Sequence, residues 1–339
     1  MTASLPTVAD RRGRRLADLR ISVTDRCNFR CTYCMPREHF GRGHRFLPKR
    51  DILSFEEIER VVGALRRLGL EKVRLTGGEP LLRAELDGLV SRLRVHEGLE
   101  IALTTNGSLL ARSADALKRA GVDRLTLSLD ALDKAIFRRM TDADYSVADV
   151  LEGLAAAERA GFRPIKVNCV VRRGVNESEI LPLARHFRQS GHIVRFIEYM
   201  DVGLTNGWRL DEVVSGDEIV ARITSVFPAE PVAPVRPGEV ARRYRYSDGG
   251  GEFGVITSVT RPFCGDCTRL RLTADGKLHT CLFSAEGHDL RPLLRGGAND
   301  ETLERYLERL WQSRDDRYSE LRSLRASGLR RPEMSYVGG

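Results

Sequence analysis

Between Leu19 and Met200, short apolar runs alternate with amphipathic helical patterns, which restricts the chain to a parallel sheet or barrel built from βα units. The runs are LRISVT (19–24), KVRLTGG (72–78), EIALTTNG (100–107), DRLTLSLD (123–130), IKVNCVV (165–171) and IVRFIEYM (193–200). After the first of them, SFEEIERVVGALRRLG opens on a capping box of Ser54 and Glu57 and aligns Ile58, Val61, Val62 and Leu65 on one helical face. Six units fall short of the eight that close a barrel. The expected fold is therefore α/β: an incomplete (β/α)6 TIM-type barrel over residues 1–203, with a C-terminal α+β subdomain, residues 204–339, covering its open side.

The runs carry polar residues at alternate positions or at their C-terminal ends: Arg74 and Thr76, Thr105, Ser128 and Asp130, Lys166 and Asn168, Arg195. A filled barrel places Val, Ile or Leu at its inward positions, so a polar lumen implies an open interior with a ligand in it. Beyond Gly203 the pattern predicts a helix over 215–226, a Pro- and Arg-rich stretch over 228–246, a helix over 300–312, and an extended tail, RRPEMSYVGG.

No apolar run approaches the ~18–20 residues of a membrane span, and the segment from Met1 to Arg20 has arginines but no apolar core of a signal peptide. The expectation is a cytoplasmic protein without membrane contact. Lys and Arg total 55 against 47 Asp and Glu, a net charge of +8 that suits an anionic partner. Only six of those cations are lysines, a compositional skew rather than the footprint of a nucleic-acid surface.

Seven cysteines, an odd number, argue against a disulfide framework. Cys169 stands alone in an apolar strand and reads as core. Cys27, Cys31 and Cys34 fall in the loop after the first strand, where a barrel carries its active site. Three thiolates within eight residues suit a 4Fe-4S cluster with one iron left open. The alternative is zinc with a fourth ligand from His39 or His44. Cys264, Cys267 and Cys281 form a second trio, with His279 and His288 near enough to complete a zinc site instead. Arg269 and Arg271 alternate just after Cys267, so both can face one way. Two guanidiniums beside an open metal position make a site for an anion that also carries a donor atom, as a nucleoside triphosphate does.

The run CNFRCTYC resembles the cluster motif of the radical S-adenosylmethionine (SAM) enzymes, and LTGGEP (75–80) resembles the family's SAM-binding glycine motif. Together with TTNG, LSLD, RFIEYM, NGW, FCGDCTRLRLTADG and the terminal MSYVGG, the chain is similar to the branch of that superfamily that cyclises GTP in molybdenum cofactor biosynthesis. The resemblance implies a lyase with two 4Fe-4S clusters. The first, on Cys27, Cys31 and Cys34, would bind SAM, contacted by Tyr33, Gly78, Ser128 and Met200. The second, on Cys264, Cys267 and Cys281, would take the guanine of GTP, held by Arg20, Arg74, Thr105, Lys166, Arg195, Arg269, Leu270 and Arg271. It implies a deoxyadenosyl radical that takes hydrogen from C3' of GTP, attack of that carbon on C8, and release of 3',8-cyclo-7,8-dihydro-GTP. Lys166, Arg269, Arg271, Gly338 and Gly339 would serve catalysis. An external electron donor, delivery of product to cyclic pyranopterin monophosphate synthase and a homodimer are implied as well. A peptide maturase with an accessory cluster and a zinc-stabilised nucleic-acid-binding protein are the alternatives. The first has no use for the TRLR run or the Gly-Gly end, and the second does not explain GGEP or the polar lumen.

Overall fold

A computed structural model describes residues 7–234, 238–322 and 331–338. The six expected strands are β1 (Asp18–Ser22), β2 (Lys72–Thr76), β3 (Glu100–Thr105), β4 (Arg124–Ser128), β5 (Lys166–Val171) and β6 (Ile193–Glu198). Each pairs in parallel with the next. All but β5 stop two residues before the apolar run does, because the residues beyond, Gly77 and Asn106 among them, have left the ladder to begin βα loops.

The later part of the chain does more than cover the open side, because its strands extend the same sheet at both edges. After β7 (Ala229–Val232) and β8 (Arg242–Tyr246), strand β9 (Glu252–Ile256) lies parallel to β6. Strand β10 (Arg269–Leu272) lies parallel to β1, followed by β11 (Lys277–His279) and β12 (His288–Asp289). The order is β12-β11-β10-β1-β2-β3-β4-β5-β6-β9-β8-β7, with eight parallel strands flanked by antiparallel pairs. The hairpin β7-β8 occupies the Pro- and Arg-rich stretch. Pro231 sits on the edge strand, where its missing N–H breaks no interior ladder.

One face of the sheet is core. Leu19, Ile21, Val73, Leu75, Ile101, Leu103, Leu127, Val167, Cys169 and Phe196 are fully buried there. Helix Phe55–Arg67 covers part of this face and begins as expected, with Ser54 Oγ accepting from the Glu57 N–H at 3.1 Å and Glu57 Oε2 accepting from the Ser54 N–H at 2.8 Å. Helix Asp300–Gln312 packs beside it. The helix expected over 215–226 spans Gly216–Thr224, capped by Ser215.

The tail is not extended as expected. Met334–Val337 forms a single helical turn, and Ser22 Oγ on β1 donates to the Tyr336 carbonyl at 3.1 Å. Four residues are too few for a period to register in the sequence. Gly338 follows the turn; Gly339 lies outside the described residues. Among the described residues no helix is long and apolar enough to cross a membrane.

Candidate active site

The face of the sheet opposite the core borders a cavity of about 630 Å³, within the roughly 300–1,000 Å³ of small-molecule sites. Arg74, Thr76, Thr105, Ser128, Asp130, Lys166, Asn168 and Arg195, the polar set read from the strands, all line it. Alternation along the strands puts all but Thr105 there, because their neighbours fill the core; Thr105 shares the parity of Ile101 and Leu103 and borders the cavity from the end of β3.

Both cysteine trios reach this one cavity. In the loop after β1, the Cys34 N–H donates to the Cys31 carbonyl at 3.0 Å and the Phe29 N–H to Cys27 Sγ at 3.4 Å. Burial, with Glu79 beside it, pushes the Cys27 thiol up to about 12. Burial also drives Cys31 and Cys34 upward. Such thiols stay protonated until a cation takes the proton's place, so the donor set suits a metal group and would be inert without one. Cys267 differs. Burial raises its pKa, but Arg269 and Arg314 outweigh that and hold it at about 6. Cys281 is pushed up to about 11 by burial. Among the described residues no three Cys, His, Asp or Glu side chains converge as a single ion would require.

The two glycines of the GGEP loop were expected to admit a ligand to the main chain. What presses on them is the first cysteine loop itself. A Cβ on Gly78 would lie 2.2 Å from the Arg26 carbonyl oxygen, and one on Gly77 2.6 Å from that of Thr24. Both positions need glycine so that this loop can dock, with the Gly78 N–H donating to Thr24 and the Glu79 N–H to Arg26 at 2.9 and 2.8 Å. Gly78 still lines the cavity.

Glu79, not singled out in the sequence, ties two loops together. Its carboxylate accepts from Thr105 Oγ1 at 2.7 Å, from the Asn106 N–H at 2.8 Å and from the Leu81 N–H at 3.1 Å. Burial pushes it up to about 7. The Thr105 hydroxyl, expected at the nucleotide, is thus already donating to protein. Asn106, also missed, donates to Cys27 Sγ at 3.9 Å. Tyr33 donates its hydroxyl to Asp130 Oδ2 at 2.7 Å, and Asp130 Oδ1 accepts from the Val170 N–H at 2.8 Å, which fixes the ring beside the first trio. Ser128 and Met200 line the same region.

The cavity that the trios share also has a cationic wall. Register aligns Arg271 of β10 with Arg20 of β1, and Arg20 with Arg74 of β2. Burial, then the charges of Arg271, Arg269 and Arg74, pull Arg20 well below its ordinary value, and its Nε has no hydrogen-bond partner among the described residues. Burial lowers Arg271 to about 10, Arg195 to about 9 and Lys166 to about 7, with neighbouring cations adding to each. Like charges packed this closely out of water are stabilised by a polyanion. Arg269 lies over the Phe263 ring at 5.1 Å.

Two expectations need correction or qualification. Leu270 does not reach the cavity with its side chain, which is 2% exposed in the core, because strand alternation turns it away from Arg269 and Arg271. Gly338 does not line the cavity either, but its carbonyl accepts from Arg271 Nη1 at 2.5 Å, so the tail abuts the cationic wall.

The Radical SAM superfamily model matches residues 21–187 and the Molybdenum Cofactor Synthesis C model residues 192–320. A GTP 3',8-cyclase of Acidothermus cellulolyticus is 53% identical over 361 residues, covering 98% of this chain and 99% of the relative. A GTP 3',8-cyclase of Xanthomonas axonopodis pv. citri is 50% identical over 331 residues, covering 97% and 98%. Streptococcus suis SuiB bound to S-adenosylmethionine superposes with a TM-score of 0.63 at 14% identity over 92% of this chain and 69% of that one, a likeness of fold.

Proposed function

This chain belongs to the GTP 3',8-cyclase family of radical SAM enzymes, and from that premise we propose how its residues divide the work. It is a lyase that uses SAM and an iron–sulfur cluster to convert GTP in the first step of molybdenum cofactor biosynthesis. Cys27, Cys31 and Cys34 hold a 4Fe-4S cluster that binds SAM. Tyr33, Gly78, Ser128 and Met200 border the SAM. Cys264, Cys267 and Cys281 hold a second 4Fe-4S cluster at the guanine. When bound, the cluster and SAM would supply a deoxyadenosyl radical able to take hydrogen from C3' of GTP; closure of that carbon onto C8 would then be completed by one electron and one proton, the electron coming from a reductant.

The protein's part is positioning, because a primary alkyl radical attacks almost any nearby C–H bond. Arg20, Arg74, Lys166, Arg195, Arg269 and Arg271 hold the triphosphate against the cavity face of the sheet. Gly338 closes the tail against Arg271, and Gly339 serves catalysis with it. The observation that carries this reading is the row of closely packed, buried cations along a cavity that both trios line. The reading extends to a C-terminal unit from residue 204 that furnishes the second site, an external electron donor, delivery of product to cyclic pyranopterin monophosphate synthase, a homodimer and a cytoplasmic setting.

Anaerobic incubation with GTP, SAM and a reductant tests the proposal, read as 5'-deoxyadenosine and the 3',8-cyclic nucleotide. Lys166→Ala and Arg269→Ala are expected to lower cyclisation by orders of magnitude while deoxyadenosine formation persists. Wild-type cyclisation by both variants would remove these residues from the site.

Lys166 also predicts a pH dependence. Its pKa of about 7 in the free protein rises when a polyanion lies against it, so binding takes up a proton wherever Lys166 is neutral. GTP affinity therefore weakens above pH 7, by up to about tenfold per pH unit. Lys166→Met should flatten that slope, measured by calorimetry between pH 6 and 9 without SAM. Parallel slopes in the two proteins would show that Lys166 does not meet the anion.

A further inference from the structure

Behind the second trio lies a buried ion triad that the reading above leaves unused. The side chains of Asp10, Arg14 and Arg314 are 0%, 2% and 1% exposed. Asp10 Oδ2 accepts from Arg14 Nε at 2.7 Å and from Arg314 Nη1 at 3.2 Å. The guanidiniums then reach the cysteine loops. Arg14 Nη1 donates to the Cys264 carbonyl at 2.8 Å, and Arg314 Nη1 to the Cys267 carbonyl at 2.7 Å. Arg314 Nε donates at 3.0 Å to the carbonyl of Thr280, the residue before Cys281. One carboxylate thus fixes two forks that hold the main chain at all three cysteines.

The triad is itself held rigidly. Asp10 Oδ1 accepts from the N–H groups of Arg12 and Arg14, each at 2.9 Å. Trp311 Nε1 donates to the Arg14 carbonyl at 3.0 Å, while Arg314 stacks 4.5 Å over the Trp311 ring. Arg14 Nη2 is buried with no hydrogen-bond partner among the described residues, and Arg14 lines the cavity beside the trio. Burying three ions costs several kcal/mol each before pairing, and apolar residues of the same volume would hold the fold as well. What they could not supply is a fixed charge and aimed donors next to a metal site.

We propose that Asp10, Arg14 and Arg314 are positioning residues of the second iron–sulfur site, presetting its three cysteines and tuning the reduction potential of the group they hold. This rests on the reading that Cys264, Cys267 and Cys281 bind a cluster. Removing the negative charge favours the more negative, reduced cluster, and removing a positive charge disfavours it.

The test uses the full chain, reconstituted anaerobically, with iron and sulfide analysis and redox titration followed by electron paramagnetic resonance. About eight irons in the wild type support two clusters; about four would overturn that reading by itself. Asp10→Asn and Arg314→Gln are expected to cleave SAM at the wild-type rate. Their second cluster is expected either to be lost selectively or to stay with its potential moved, upward in Asp10→Asn and downward in Arg314→Gln. Opposite signs would not arise from a merely structural role. If the wild type holds two clusters, three results overturn the proposal: full iron with unmoved potentials, shifts of one sign, or joint loss of both clusters in the two variants.

Discussion

Cys31→Ala is expected to abolish both SAM cleavage and cyclisation, whereas Cys267→Ala abolishes cyclisation and leaves SAM cleavage running. The contrast follows from where the trios sit. Cys31 lies in the loop after β1 with Tyr33 and the GGEP loop packed around it, so its loss removes a ligand from the cluster that binds SAM. Cys267 belongs to the wall with Arg269 and Arg314, whose charges hold its thiol near 6 against the opposing effect of burial. Replacing it leaves two buried guanidiniums facing an incomplete sulfur set. The expected fall in cyclisation is on the order of 10³-fold or more in each case, about 4 kcal/mol in barrier height. Cys169→Ala is the control. That thiol is fully buried on the core face of β5, donates to the Asp130 carbonyl at 3.6 Å and is absent from the cavity lining, so iron content should not change. Iron per chain and the two products, measured anaerobically, decide the outcome. Wild-type cyclisation by Cys267→Ala would end the case for a second cluster.

The features legible in the sequence were those written into local pattern. Strands β1 to β6 announce themselves by alternation, and each polar exception to that alternation lies on the cavity. The trios announce themselves by spacing. The eight-stranded parallel run does not, because β10 pairs with β1 from some 250 residues away and no local period records such a partner. Glu79 looked like the third letter of a motif valued for its glycines, while in the fold it joins the GGEP loop to Thr105 and Asn106. Asp10, Arg14 and Arg314 belong to no motif in an arginine-rich chain; only tertiary packing brings them behind one trio. Tyr336 is a similar case. Its hydroxyl donates to the Asp275 carboxylate at 2.9 Å, an anchor for the tail that a short aromatic-containing terminus does not signal.

That anchoring makes the end of the chain the site of the second large effect. Arg331 pairs with Asp201 at 3.0 Å, and Glu333 accepts from the Leu204 N–H at 2.9 Å and from Thr205 Oγ1 at 2.8 Å. Tyr336 meets Asp275, and Gly338 arrives at Arg271 with its carbonyl 2.5 Å from Nη1. Its backbone, at φ 75° and ψ 105°, lies where residues with a Cβ are strained. A Cβ there would stand 2.5 Å from Thr76 Cγ2 and 3.0 Å from Ser22 Oγ. Both neighbours belong to strands whose positions the whole sheet fixes, so the tail must give way rather than the wall. Gly338→Ala is therefore expected to displace the terminus from Arg271, and deletion of Gly338 and Gly339 to remove it. Cyclisation should fall roughly 10²-fold or more, as for a reacting centre misplaced by about 1 Å. The upstream anchors stay in place, so iron content, thermal midpoint and deoxyadenosine formation should remain at wild-type values. Full cyclisation by either variant would mean that Arg271 acts without the tail.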